Sequence, residues 1–212
     1  MSRYGIIVNV DRCAGCFACA VACKEENQVA PGIFWEKIKR DENVRDNVIN
    51  WFRMSCMHCD DAACMKVCPM KAIHKGPHGE VLVDQKKCIG CKMCASACPY
   101  GVPVFNTEGR SSYFGDKQPL VPRPAKPHTV RTPGKAEHCT LCVHRTERGE
   151  LPACVEACGI HAMTLVDYDN PTPETAKLIE AARPLNEAAG TKPKIRYIAK
   201  HMDVAKMAVK LG

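Results

Sequence analysis

Sixteen cysteines set the chemistry open to this chain, and they form four groups of four with none left over. The groups are Cys13, Cys16, Cys19, Cys23; Cys56, Cys59, Cys64, Cys68; Cys88, Cys91, Cys94, Cys98; and Cys139, Cys142, Cys154, Cys158. In a C-x2-C-x2-C run the backbone can wrap one corner of a [4Fe-4S] cubane. Three thiolates then reach three irons while the intervening amides point at inorganic sulfide, and the fourth iron takes a ligand from elsewhere. Proline directly after the last cysteine fixes its own φ and leaves no N–H to satisfy, as at Cys68-Pro69 and Cys98-Pro99.

Two other chemistries use cysteine pairs. Structural zinc sites usually join two ligand pairs from separated segments, whereas Cys13, Cys16, Cys19 and Cys88, Cys91, Cys94 each crowd three thiolates into one short loop. Disulfide scaffolds belong mostly to small secreted domains. The opening Met-Ser-Arg-Tyr-Gly-Ile-Ile-Val-Asn-Val has too short an apolar stretch for a secretory signal and runs straight into the first cysteine group.

Composition fits a cofactor-filled core. Aromatics are only 6% of 212 residues, so clusters would replace part of an ordinary core, and folding would be coupled to metal binding. The formal charge of +7 could point to nucleic acid. Four oxidised cubanes would contribute about −8 and offset it, and no basic helix or base-stacking motif supports nucleic-acid binding. A phosphate-binding glycine loop, a G-x-G-x-x-G fingerprint and a nucleophile–base signature are all missing. No catalytic residue is assigned, and no molybdopterin, flavin or nucleotide is expected on this chain.

The elements that must position these thiols follow from the spacing between groups. Val81–Val83 after the turn Gly76-Pro77-His78-Gly79 predicts a strand pairing with Ala72-Ile73-His74. Residues 53–104 thus resemble one bacterial two-cluster ferredoxin. Strand-like segments at 4–10 and 162–166 flank the first and fourth groups, which predicts an outer ferredoxin-like module enclosing the inner one. The expected fold is α+β: two nested 2[4Fe-4S] ferredoxin-like modules with short strands, small helices and many loops. The outer module takes 1–52 plus 105–190, with a basic, proline-rich insertion at about 107–137, and 191–212 form a tail. Residues 172–189 read as a surface helix after Pro171 and Pro173, and 202–211 as a short amphipathic helix. No stretch approaches the eighteen or so apolar residues of a membrane span.

The segments Cys13-Ala-Gly-Cys16-Phe-Ala-Cys19, Cys56-Met-His-Cys59-Asp-Asp-Ala-Ala-Cys64, Cys88-Ile-Gly-Cys91-Lys-Met-Cys94, Cys98-Pro-Tyr-Gly, Cys139-Thr-Leu-Cys142-Val-His-Arg and Gly190-Thr191-Lys192-Pro193 resemble the iron-sulfur subunits of the dimethyl-sulfoxide-reductase family. The match runs through most of residues 3–199, with all four motifs in order. It implies that groups pair first with fourth and second with third, each exchanging its final cysteine. One cluster would then take Cys13, Cys16, Cys19 and Cys158, and its neighbour Cys139, Cys142, Cys154 and Cys23. A third would take Cys56, Cys59, Cys64 and Cys98, and the fourth Cys88, Cys91, Cys94 and Cys68. It further implies four [4Fe-4S] clusters relaying electrons between a large molybdopterin (Mo or W) catalytic subunit and a quinone-linked or soluble redox partner. In many relatives a membrane anchor supplies the quinone end. Alternatives are an electron-transfer subunit of a hydrogenase or formate dehydrogenase complex, or a freestanding polyferredoxin. Without a twin-arginine signal of its own, the chain is expected in the cytoplasm, or in the periplasm by co-export with a signal-bearing partner.

Several residues carry a second reading. Gly159 stands where many relatives have proline, which admits an extra N–H. His58 and His138 flank cluster cysteines and could donate hydrogen bonds to a cluster, or be loop positions. His144 and Arg145 suit a structural or charge-balancing role. Val44, Val48, Ile49, Trp51 and Phe52 read as core or interface packing, and Phe34-Trp35 as a cover over a cluster. The insertion, from Arg110 through Lys117, Arg123, Lys126, Arg131 and Lys135, is either a solvated loop or a surface that docks on an acidic face of a partner subunit. If it docks, removing residues 112–134 weakens co-purification with the catalytic partner; unimpaired assembly leaves only the solvated loop.

Overall fold

The structure, a computed structural model, describes residues 2–44, 47–109 and 126–211. Strand β1 (Tyr4–Asn9) leads through a 3-10 turn into the first cysteine run and helix α1 (Ala18–Asn27). A long antiparallel hairpin follows, β2 (Glu36–Asn43) with β3 (Val48–Ser55), which ends beside Cys56. Helix α2 (Ala63–Lys66), the hairpin β4 (Ile73–Lys75) and β5 (Val81–Val83), and helix α3 (Met93–Ala97) frame the second and third groups. Short β6 (Val104–Phe105) and β7 (Ala136–Glu137) pair across the insertion, and α4 (Val143–Thr146) and α5 (Ala153–Glu156) frame the fourth group. Strand β8 (Met163–Asp167), helix α6 (Pro173–Ala181), β9 (Arg183–Pro184) and β10 (Ile195–Ile198) close the chain.

The main sheet runs β8-β1-β10-β9, with β1 parallel to β10 and the other pairs antiparallel. Central β1 is apolar on both faces, as a strand covered twice must be. Ile6 and Val8 join the large core that holds the buried cysteines, while Ile7 packs with Val166, Ala182 and the Leu178 and Ile179 side chains of α6. The β4–β5 hairpin has the pairing expected from sequence, Ile73 opposite Val83. Among the described residues no helix is long and apolar enough to cross a membrane.

Four expectations need correction. The hairpin β2–β3 has no counterpart among them: β2 reads Glu-Lys-Ile-Lys-Arg-Asp-Glu-Asn, without a strand-like alternation, and the expected module boundary at 52/53 falls inside β3. Of the apolar set on that hairpin, Phe52 is buried, whereas Val44 and Ile49 are exposed. The surface helix at 172–189 is only α6. Thr172 caps its start by accepting from the Thr175 N–H, and Pro184, together with the extended bias it imposes on Arg183, ends it in β9. Residues 191–212 are no tail, because β10 is an inner strand of the sheet. The 202–211 helix is a single 3-10 turn at Val204–Lys206. Beyond it Met207, Val209 and Leu211 face inward at a spacing of two, the period of extended chain. The Leu211 N–H donates to the Tyr100 carbonyl at 2.8 Å.

Of the basic insertion, residues 110–125 lie outside the described residues. Two described members turn inward: the Arg131 guanidinium covers the Trp35 ring at 4.6 Å, and Lys135 Nζ donates to the Gln85 carbonyl at 2.5 Å.

Gly5 permits a close approach of β1 to the chain entering β10. A Cβ there would strike the Lys194 carbonyl and lie 2.6 Å from the Tyr168 ring. Gly5→Ala should therefore cost roughly 1–3 kcal/mol, read as a lower melting temperature of the loaded protein; an unchanged melting temperature would count against that contact.

Candidate metal centres

The sixteen thiols gather at four places. Cys56, Cys59, Cys64 and Cys98 line one small cavity with Tyr100, His138 and Thr191. A second is lined by Cys68, Cys88, Cys91 and Cys94 with Ile73 and Phe105. The third brings Cys13, Cys16, Cys19 and Cys158 together with Val8, Ile38 and Arg53. The remaining four, Cys23, Cys139, Cys142 and Cys154, are all buried. Asn27 Nδ2 reaches two of them, at 3.8 Å from Cys23 Sγ and 4.0 Å from Cys142 Sγ.

The backbone repeats at each group more faithfully than the side chains do. The residue two places after the first cysteine is left-handed in all four runs: Gly15 (φ 66°), His58 (45°), Gly90 (73°) and Leu141 (54°). Another left-handed residue stands three places after the last cysteine in three runs, at Lys71 (47°), Gly101 (59°) and His161 (49°). Cys23 is the exception because α1 continues through it to Asn27. Left-handed non-glycine residues are uncommon and cost conformational energy. Here they turn amides onto sulfur: His58 N–H lies 3.4 Å from Cys56 Sγ and Leu141 N–H 3.4 Å from Cys139 Sγ. After the last cysteines, the N–H groups of Ala72 and Ala162 approach Cys68 and Cys158 at 3.3 Å.

Burial pushes the thiols up, Cys59, Cys94 and Cys142 to about 11 and Cys64 to about 12; neighbouring thiolates add to the rise. Cys23, Cys56 and Cys154 are also raised well above the ordinary thiol value, by burial first and then by neighbouring negative charge, Glu36 beside Cys23 and Cys154 and other thiolates beside Cys56. A metal taken up here must displace protons. Four thiols converge at each cavity, the walls are largely apolar, and amides point at the sulfurs. A structural zinc usually joins two ligand pairs, whereas each set here joins three thiols of one group to a fourth from another group, so the residues fit an iron-sulfur cubane better.

Residues that sequence reasoning left without a role complete the sites. Thr191 hydrogen-bonds the Cys59 thiol and Tyr100 Oη at 2.7 Å, and the carbonyls of Thr191 and Lys192 accept from Asp61 and Asp60 N–H. The Gly190–Pro193 segment therefore clamps the loop of the second group. Arg53 and Glu36, fully buried, form an ion pair of 2.8 Å on the long hairpin. The signal was present in sequence as one arginine inside the apolar run Trp51-Phe52-Arg53-Met54, three residues before Cys56.

The histidines divide. Both His58 and His138 are buried, and burial holds each imidazole neutral. His58 Nδ1 accepts the Val81 N–H at 3.0 Å, so the proton is on Nε2 and free to donate. His138 instead donates from Nδ1 to the Cys139 carbonyl at 2.7 Å, which leaves Nε2 an acceptor and unable to donate to a cluster. His144 contacts Glu26 at 2.8 Å and stacks on His128, while Arg145 bridges Glu26 and Glu156, tying α1 to α4 and α5. A Cβ on Gly159 would meet open space.

Comparison with known proteins agrees with this construction. The 4Fe-4S dicluster domain family matches residues 48–113 and 123–168, the second to fourth cysteine groups. The arsenate respiratory reductase iron-sulfur subunit ArrB of Shewanella sp. (strain ANA-3) is 35% identical, covering 92% of this chain and 96% of that protein. A tetrathionate reductase subunit of Salmonella typhimurium is 33% identical over 92% of this chain and 79% of its own length. One of the anaerobic dimethyl sulfoxide reductase chains of Escherichia coli (strain K12) is also 33% identical, over 92% and 87%. Four-thiol cavities, ferredoxin-like dicluster motifs and near full-length similarity to these subunits have one common explanation: this protein belongs to the iron-sulfur electron-transfer subunits of the dimethyl-sulfoxide-reductase family of molybdopterin oxidoreductases.

Proposed function

We propose that the chain holds four [4Fe-4S] clusters in a row and relays electrons between a molybdopterin catalytic subunit and a second redox partner. The ligand sets are those implied by the family resemblance: Cys13, Cys16, Cys19, Cys158; Cys23, Cys139, Cys142, Cys154; Cys56, Cys59, Cys64, Cys98; and Cys68, Cys88, Cys91, Cys94. What carries this reading is the convergence of each set, with successive sets in electrostatic contact. Arg53 lines the cavity of the first set, that of Cys13, and lies 3.9 Å from Cys154 of the second set. Cys139 acts on Cys56 of the third, and Cys94 of the fourth acts on Cys64. Only Cys16 and Cys91 are exposed, one in each terminal set. Exposed Phe17 and Val21 flank the first, and exposed Ile89 and Met93 flank the second.

The nested arrangement is part of this reading: residues 53–104 supply the inner ferredoxin-like module, and 1–52 with 105–190 the outer, to which β10 is joined. Such clusters supply one-electron storage at potentials set by their surroundings. This chain contributes thiolates, amide donors, burial and insulation. A membrane quinone subunit is a candidate for the second partner, and residence in the periplasm by co-export with a signal-bearing catalytic subunit is favoured over the cytoplasm if that subunit carries a signal.

Anaerobically purified protein should contain about sixteen irons with matching acid-labile sulfide, give spin-coupled EPR signals after dithionite reduction, and co-purify with a large molybdopterin subunit. Zinc without sulfide would overturn the cluster reading; a hydrogenase partner, or none, would favour the alternatives. Insulation has its own test. Trp35 is 1% exposed, bonded through Nε1 to Glu137 at 2.9 Å beside the strand leading to Cys139, whereas Phe34 is partly exposed under Lys24. Trp35→Ala should shorten the lifetime of the visible cluster absorbance in air and Phe34→Ala should not; equal lifetimes in Trp35→Ala and wild type would remove Trp35 from that role.

A further inference from the structure

Among the described residues, Arg53 is a fully buried cation whose hydrogen bonds are not all accounted for by protein. Its side chain is 1% exposed. One terminal nitrogen, Nη2, donates to Glu36 Oε2 at 2.8 Å and approaches Cys154 Sγ at 3.9 Å. The other two nitrogens, Nε and Nη1, are buried with no partner. A guanidinium carries five N–H donors in a fixed fork and keeps its charge at any pH the protein meets. Buried donors of this kind are almost always satisfied. The side chain lines the cavity of Cys13, Cys16, Cys19 and Cys158, and neither Nε nor Nη1 reaches a protein acceptor there.

Its surroundings place it between the two outer centres. It lines the cavity of Cys13, Cys16, Cys19 and Cys158 on one side and lies 3.9 Å from Cys154 Sγ on the other. Glu36 is its carboxylate partner. Its Oε1 is likewise buried without a partner. The pair is held by the β2–β3 hairpin, with Glu36 opposite Ser55 and Arg53 opposite Ile38, and by Tyr197, whose hydroxyl donates to the Arg53 carbonyl at 3.1 Å. A cation held in a low-dielectric interior stabilises the more negative, reduced state of a neighbouring cluster, and N–H donation to its sulfurs acts in the same direction.

We propose that Arg53 is a potential-setting residue shared by the two outer clusters, that it raises the reduction potentials of both, and that Glu36 holds it in place and offsets part of the effect. This rests on the four-cluster reading. A buried ion pair that served only to brace the hairpin would leave potentials alone.

The test is an EPR-monitored redox titration of the full-length chain in its native complex, with iron and sulfide measured on the same sample. In Arg53→Gln, two of the four clusters should shift to lower potential by at least a tenfold change in the oxidised-to-reduced ratio at fixed ambient potential, about 59 mV for one electron. The other two should stay where they are. Glu36→Gln should move the same two upward, and this variant decides the matter if Arg53→Gln does not assemble. Full iron content with unshifted potentials in Glu36→Gln and in any assembled Arg53→Gln, or an equal shift of all four clusters, overturns the role assigned to Arg53. Wild-type protein with fewer than about sixteen irons would instead count against the four-cluster reading on which it stands.

Discussion

In each of the three lined cavities the fourth sulfur comes from a segment outside the local loop, and this single constraint organises the fold. A run of three cysteines can arrange itself, but Cys158 must come to Cys13, and Cys98 to Cys59 and Cys64. The strands are short because their work is to return the chain to a sulfur. Strand β8 begins five residues after Cys158 and pairs with β1, which runs into Cys13. The small β4–β5 hairpin returns the chain from Cys68 to Cys88 in the same manner. Much of what would be aromatic core elsewhere is sulfur and alanine, with buried cysteines inside the main hydrophobic cluster.

Holding anionic clusters in an apolar interior requires positive character without water, and the chain supplies it in two forms. Backbone amides aimed at sulfur provide the repeated form, obtained through left-handed residues at equivalent places in every run. Such local oriented dipoles make an anion site without a formal charge. The unrepeated form is a full charge, Arg53, matched by a carboxylate so that the pair rather than a bare cation is buried. Buried ion pairs are weak contributors to stability in general, and their presence is better explained by what lies beside them.

Much of this was legible in the cysteine spacing, because thiolate ligands are few, local and unambiguous in type. The β4–β5 hairpin followed from Val81-Leu82-Val83 after a Gly-Pro turn, and β1 from Gly-Ile-Ile-Val. The β2–β3 hairpin was hidden because its first strand is charged and its stability comes from contacts distant in sequence, among them Phe52 with Tyr197 at 5.8 Å. The clamp at Thr191 was visible only as a resemblance, since nothing in Gly-Thr-Lys-Pro indicates that it closes over a loop more than a hundred residues earlier. At the carboxyl end, apolar residues that could have formed a helix took the extended form because Leu211 hydrogen-bonds Tyr100.

The parallel pairing of β1 with β10 bears on how the protein folds. Strand β1 pairs with β8 and β10, residues 163–167 and 195–198, so its partners lie about 150 residues or more away in sequence. Until they meet, Ile6, Ile7 and Val8 form an apolar strand with two open edges, the kind of surface that aggregates. The pairing of β4 with β5, by contrast, closes only a short turn. Loop-closure entropy therefore falls most heavily on the sheet that seals the outer cysteine groups, and least on the small hairpin at the centre of the chain.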